Sequence, residues 1–464
     1  MTELPPKPAS RPENVSLWRY MQLFRKDILS AQPAKLYRAW MAEFRTPFFR
    51  SYLVNEPDLL KEVLIRNPDA FPKSDRISAG LRPLLGNSVF LTNGADWQRQ
   101  RRIIDPAFSG GRLRDTYPGM RAAAEAGAAR LADMADGTPQ EIEAITSHIA
   151  ADVIFRTLFS IPIEDETAQE VFAAFRDYQR TQPILNLAAF VRGPAWMPRF
   201  FRPQTRKAAK LIRALITKLT KESLDLIAAG QAPDDLATKI LTTKDPETGE
   251  VFSLEEMVDQ VAIFFLAGHE TSASALAWAL YLLALNPEWQ TALAQEATAF
   301  SGAFRDLSDL KQTRDVFRET LRLYPAVPMM VRETTRPEIF RGRDVKPGAQ
   351  VVVSPWHLHR HERIWDNPDG FDPTRWETEN GKACARDAYL PFSAGARICP
   401  GAGFAMIEGA VILATLLKSY EFTRVSDRDP VPVAHLTVRS KDGIWLRIVP
   451  RTADSVSKMP TETA

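Results

Sequence analysis

The stretch Phe392-Ser393-Ala394-Gly395-Ala396-Arg397-Ile398-Cys399-Pro400-Gly401 constrains this chain more than any other. It holds one of only two cysteines in 464 residues, in a loop broken by glycine and proline. An apolar helical run, Phe404 to Leu417, follows directly. A cysteine at a helix start feels the positive dipole end and nearby free N–H groups, both of which stabilise a thiolate. Arg397 adds a cation and Phe392 an aromatic face. These residue types suit a thiolate held beneath a flat, anionic cofactor. A lone cysteine is more often a small buried hydrophobe. By itself, then, the loop specifies a candidate metal–thiolate site.

The rest of the chain reads as mainly α with small β-sheets. Apolar residues recur at helical spacing over Arg121–Ala135, Ile142–Phe159, Thr167–Tyr178, Arg206–Ala229, Leu254–Leu285 and Arg314–Leu323. Short β-branched runs at Phe48–Val54, Gln350–Ser354 and Gly443–Val449 predict strands. Ser253 and Glu256 form an S-x-x-E capping box at the start of the longest helix. No repeat period or interdomain linker appears. The expected organisation is one catalytic domain over residues 15–450, with flexible segments at 1–14 and 451–464. Met1–Asn14 is Pro-rich and polar and shows neither a signal-peptide core nor a membrane anchor. With two cysteines and no disulfide framework, a soluble cytoplasmic protein is expected. The net charge of +2 argues against a nucleic-acid binder.

Four further constellations carry chemistry. Ala267-Gly268-His269-Glu270-Thr271 lies inside the Leu254–Leu285 helix. Glycine there costs about 1 kcal/mol relative to alanine, which implies either close backbone approach or weak selection. Thr271 can bond back to the carbonyl four residues earlier. Small residues, an acid and a hydroxyl together could form a groove for a diatomic ligand and a proton relay, or simply a polar kink. Trp97 and Arg101 are four apart and offer two donors on one helical face. Glu319 and Arg322 are three apart, a pairing common on solvated helices. Pro373-Thr374-Arg375 follows downstream.

Together these stretches resemble the cytochromes P450. The loop fits the pattern Phe-x-x-Gly-x-Arg-x-Cys-x-Gly at every defined position, and the helix fits (Ala/Gly)-Gly-x-(Asp/Glu)-Thr. Glu319-x-x-Arg322, Pro373-x-Arg375 and Trp97-x-x-x-Arg101 fit the remaining motifs in the family's order. The resemblance implies the cytochrome P450 fold and haem b. Cys399 would be the metal ligand, Phe392 would pack on the ligand loop, and Gly401 would complete it. Arg397, Trp97, Arg101 and Arg332 would hold the haem propionates, and Ala267 and Gly268 would line the oxygen side. Thr271 and Glu270 would be catalytic, delivering protons during oxygen activation. Glu319, Arg322 and Arg375 would form a structural ion network.

The reaction implied is monooxygenation: O2 is activated and a lipophilic substrate is hydroxylated, with fatty acid, terpenoid and steroid-like compounds all open. Electrons would come from a separate ferredoxin- or flavodoxin-type donor and its reductase. Arg99, Arg102, Lys382 and Arg386 are candidates for a basic docking patch. Apolar pocket walls are expected from Phe264 and Phe265, Ala326–Met330, residues 182–201 and Leu436–Val438. Peroxide-using or isomerising haem–thiolate chemistry, or a non-catalytic haem sensor or electron carrier, are the other readings. His357, His359 and His361 alternate like metal ligands but sit among Arg360, Glu362 and Arg363, which favours a structural role. Cys384 has no ligand-like spacing.

Overall fold

The computed structural model describes residues 3–45, 50–181, 203–434 and 436–452. Eight helices position the site: α1 (Gly94–Ile104), α2 (Gly110–Leu131), α3 (Ile142–Phe159), α4 (Glu166–Thr181), α5 (Pro203–Ala228), α6 (Leu254–Leu285), α7 (Lys311–Leu323) and α8 (Ala402–Ser419). Helix α6 is the axis. The Ser253–Glu256 capping box forms at its start, and Asn286-Pro287 ends it. It is apolar nearly all round and packs against α3, α5, α7 and α8, as a core helix must. At Gly268 α3 comes close: a Cβ there would stand 2.5 Å from Ile154 Cδ1. The mid-helix glycine is therefore explained by close approach.

Helix α8 is long and apolar enough to cross a membrane by composition, but it packs on α2, α7 and the Pro287–Ala299 helix. The spans of α3 and α6 agree with the sequence reading. Helix α2 begins well before Arg121, because buried Thr116, Tyr117 and Met120 hold its first turns despite Gly110, Gly111 and Pro118.

The main sheet has the order β1 (Met41–Arg45), β2 (Arg50–Val54), β5 (Gln350–Val353), β4 (Met330–Glu333). Strands β2 and β5 are parallel, with Ser51 opposite Gln350, and the other pairs are antiparallel. A second sheet joins β3 (Pro139–Glu141), β9 (Trp445–Pro450) and β6 (Tyr420–Arg424), and a hairpin pairs β7 (Pro432–Ala434) with β8 (Val438–Ser440). Phe48 and Phe49 and the pocket wall expected at 182–201 lie outside the described residues.

The N-terminal stretch, expected to be flexible, is held at several points. The Tyr324 hydroxyl donates to the Pro6 carbonyl at 2.9 Å, and Lys7 pairs with Asp369 at 2.7 Å. Buried Pro5 and Pro8 explain why a Pro-rich stretch lies down: its backbone loses little entropy on ordering.

Candidate active site

One large cavity, 2490 Å³, lies between α6 and the Cys399 loop. Ligand pockets usually enclose about 300–1,000 Å³, so there is room for a sizeable cofactor and an organic substrate together. Cys399, Arg397, Phe392, Gly401, Trp97, Arg101 and Arg332 all line it. So do Ala267, Gly268, Glu270 and Thr271.

The loop geometry follows from its residues. Gly395 has φ +66°, and a Cβ there would lie 2.1 Å from the Leu64 carbonyl oxygen. Glycine is required on both counts. The Cys399 N–H donates to the Phe392 carbonyl at 2.9 Å, closing the turn, and Arg101 donates to the Ile398 carbonyl at 2.7 Å. Burial pushes the Cys399 thiol up, while the Gly401 N–H and the Arg101 charge pull the other way. Cys399 is exposed, and it lines the cavity.

Four cations gather on this wall: Arg101, Arg332, Arg397 and Lys73. The motifs missed Lys73. Its Nζ donates to the carbonyls of Val89 (2.6 Å) and Thr92 (3.0 Å), and a β-bridge places it opposite Arg332. Burial, together with the charges of Arg332, Arg397 and Arg101, lowers its ammonium to about 6. Burial, with Arg397 beside it, lowers Arg332 to about 10. Arg397 donates to the Pro68 carbonyl at 2.7 Å and lies 4.9 Å from the Trp97 ring centroid, but its buried Nε has no partner. The carboxylates near these cations are Asp105, 2.7 Å from Arg101, and Asp69, 3.8 Å from Arg397 and 83% exposed. Crowded, desolvated cations with an orphaned N–H fit a buried group bearing carboxylates. Haem fits this donor set: a thiol for the iron, cations for two propionates, and small residues on the facing helix.

On α6, the Thr271 hydroxyl donates to the Ala267 carbonyl at 2.5 Å, the back-bond its position predicts. Glu270 accepts from Thr437 at 2.7 Å and from Gln179 at 3.2 Å, and pairs with Arg439 at 3.2 Å. None of these bonds goes to Thr271. Next along, Ser272 donates to buried Glu408 on α8 at 2.5 Å. Burial pushes Glu408 up to about 8, so the carboxyl stays protonated at neutral pH. Its signal in the sequence was a single acid within an apolar run. Of the two phenylalanines, Phe264 lines the cavity, whereas Phe265 packs on Phe155 and Phe175 in the core.

Glu319, Arg322 and Arg375 meet as a fully buried network. Arg322 uses all five N–H donors, on both Glu319 oxygens and the carbonyls of His359, Pro368 and Gly370. Arg375 donates to Glu319 at 3.1 Å.

The imidazoles do separate jobs. His357 meets Ser354, His359 bridges the Arg322 carbonyl and the Leu390 N–H, and His361 stacks on Trp40. Of the residues expected in a docking patch, Arg99 pairs with Glu256, Arg102 with Asp245, Lys382 with Glu379 and Arg386 with Asp387. Arg99 and Arg102 each meet two carboxylates, whereas Asp387 is shared between Arg386 and Lys61.

The family model described as Cytochrome P450 matches residues 14–447. Cyclooctat-9-en-7-ol 5-monooxygenase of Streptomyces melanosporofaciens is 32% identical over 420 residues, covering 89% of this chain and 87% of the relative. Pentalenene oxygenase of Streptomyces avermitilis is 31% identical, with 87% and 88% covered. Human Cytochrome P450 4X1 is 30% identical, with 87% and 82% covered.

Proposed function

Since this chain belongs to the cytochrome P450 family, we propose that its cavity would hold haem b, with Cys399 supplying the thiolate for the iron. On this reading Arg101, Arg332, Arg397, Lys73 and Trp97 take the propionates. At the coarser level the chain is a haem monooxygenase that uses O2 and electrons from a redox partner to hydroxylate a lipophilic substrate. The finer reading is a cytoplasmic hydroxylase of terpenoid ring hydrocarbons, served by a ferredoxin- or flavodoxin-type donor. The names of the Streptomyces relatives support that substrate class. The apolar walls at Phe264, Ala326–Met330 and Leu436 support it too.

Bound haem supplies the oxygen-activating chemistry, with the thiolate favouring O–O cleavage. The chain's own residues do the rest. Gly401 and Arg101 offset the burial that disfavours the Cys399 thiolate. The Thr271 proton is committed to the Ala267 carbonyl, which turns the oxygen's lone pairs toward the groove as a proton acceptor. Glu270 must turn from Arg439 toward Thr271 to pass a proton, because Arg439, Thr437 and Gln179 hold it elsewhere. Phe264 and the Ala326–Met330 turn exclude water and orient the apolar substrate.

The observation that carries this reading is a thiol and a crowded set of cations in one cavity with the acid–alcohol pair. The test is a substrate panel with surrogate redox proteins. Sesquiterpene and diterpene hydrocarbons should shift the haem spin state and give mono-hydroxylated products. Turnover of fatty acids alone would overturn the terpenoid assignment.

A further inference from the structure

Around Glu270 of α6 the cavity wall is polar and forms an arm of the site. It is lined by Glu143 and Ser147 of α3, Arg176 and Gln179 of α4, and Thr437 and Arg439 beside and within β8. Ser147 lies 2.7 Å from the His269 imidazole, fixing α3 against α6 here. The arm's outer end is lined by Lys441 and Asp442, whose side chains are 66% and 82% exposed. Glu270 and these solvent-exposed side chains thus line the same cavity.

Arg439 is the central group. Its guanidinium stands 3.2 Å from Glu270 and 3.3 Å from the Gln179 side-chain oxygen, and its charge also acts on Glu143. Glu143 accepts the Ser440 N–H at 2.9 Å. Burial pushes its carboxyl up to about 7, against the pull of that N–H and of Arg439, with Glu141 adding to the rise. A carboxyl that only anchored the strand end would gain nothing from lining that cavity. One that exchanges its proton near neutral pH can carry protons.

We propose that this arm is the proton inlet of the reaction, with Glu143 passing protons to Glu270 and Arg439 as the positioning residue between them. In each transfer the Glu143 O–H bond breaks, and the proton moves through water in the arm to a Glu270 oxygen. The Glu143 carboxylate left behind takes a proton from solvent at the Lys441–Asp442 end. No oxidant or reductant is consumed. The inference rests on the relay role given above to Glu270 and Thr271.

The test uses the haem-loaded protein and Glu143→Gln, with Glu143→Asp and Arg439→Lys as conservative controls. Infrared spectroscopy near neutral pH should show a protonated-carboxyl band that Glu143→Gln removes and that shifts promptly on transfer to D2O. Glu408→Gln identifies the other such band. Product formed per reductant consumed should fall about threefold or more in Glu143→Gln, a modest share of what general acid–base groups supply. Peroxide should be released instead, and the substrate dissociation constant should stay unchanged. Both conservative controls should restore coupling. If Glu143→Gln couples like wild type while Glu270→Gln does not, the inlet is overturned and the hydroxylase reading stands. A Glu143 band that fails to exchange in D2O overturns it as well, and that measurement needs no turnover.

Discussion

Two clusters of buried cations in this molecule are resolved in opposite ways. In Glu319–Arg322–Arg375 every guanidinium N–H of Arg322 meets a carboxylate or carbonyl. Around Trp97, by contrast, Lys73, Arg332 and Arg397 crowd one another, with Lys73 lowered to about 6 and the Arg397 Nε orphaned. Both clusters are costly to desolvate. The first is complete within the chain and so reads as scaffold. The second becomes complete only with an anionic guest and so reads as a site.

The largest effect should come from breaking the complete cluster. Glu319→Ala leaves Arg322 and Arg375 buried without their carboxylate, which should cost about 3–5 kcal/mol of stability. Chemical denaturation should show that loss with or without haem. A change below 1 kcal/mol would remove the distinction between the clusters.

The incomplete cluster should behave with opposite signs. Lys73→Met or Arg332→Met should lower haem affinity about tenfold or more, in line with losing one charged hydrogen bond. The same substitutions should stabilise the haem-free protein. Haem transfer to an acceptor protein and urea melts report the two signs.

The pH dependence sharpens this. Between about 6 and 10.5 the unfolded chain keeps a Lys73 proton that the folded, haem-free chain lacks. Stability from this group therefore rises with pH across that window, by up to about 1.4 kcal/mol per pH unit. Lys73→Met should remove that slope in urea melts run at a series of pH values.

The smallest effect is expected at Glu408, a buried acid that avoids the problem by staying protonated. Between 4.5 and about 8 the folded chain keeps a proton that the unfolded chain releases, so stability falls as pH rises. Glu408→Gln should flatten that fall, and below about pH 4.5, where the folded and unfolded chains both largely hold the proton, it should change stability by less than about 1 kcal/mol, because it keeps a neutral partner for Ser272. Thermal melts at two pH values suffice to check it.

What the sequence made legible follows the same division. Helix α6 was readable because a capping box and an apolar run specify it locally. The ligand loop and the acid–alcohol pair were readable because their chemistry is contiguous. Lys73 was not, since it stands alone between Pro72 and Ser74 and gains meaning only when the sheet sets it opposite Arg332. Glu143 was hidden in the same way, its partners arriving from β8 nearly 300 positions later. The partners of Arg99 and Arg102 were hidden because ion pairs with Glu256 and Asp245 form across long sequence separations.

The account's central claim is that Cys399 presents a thiolate to haem in the cation-walled cavity. Its most direct test is the spectrum of the reduced, CO-bound protein. The account predicts the long-wavelength Soret band of thiolate-ligated haem, lost in Cys399→His. A band typical of imidazole ligation in the unaltered protein, or failure to bind haem at all, would contradict it.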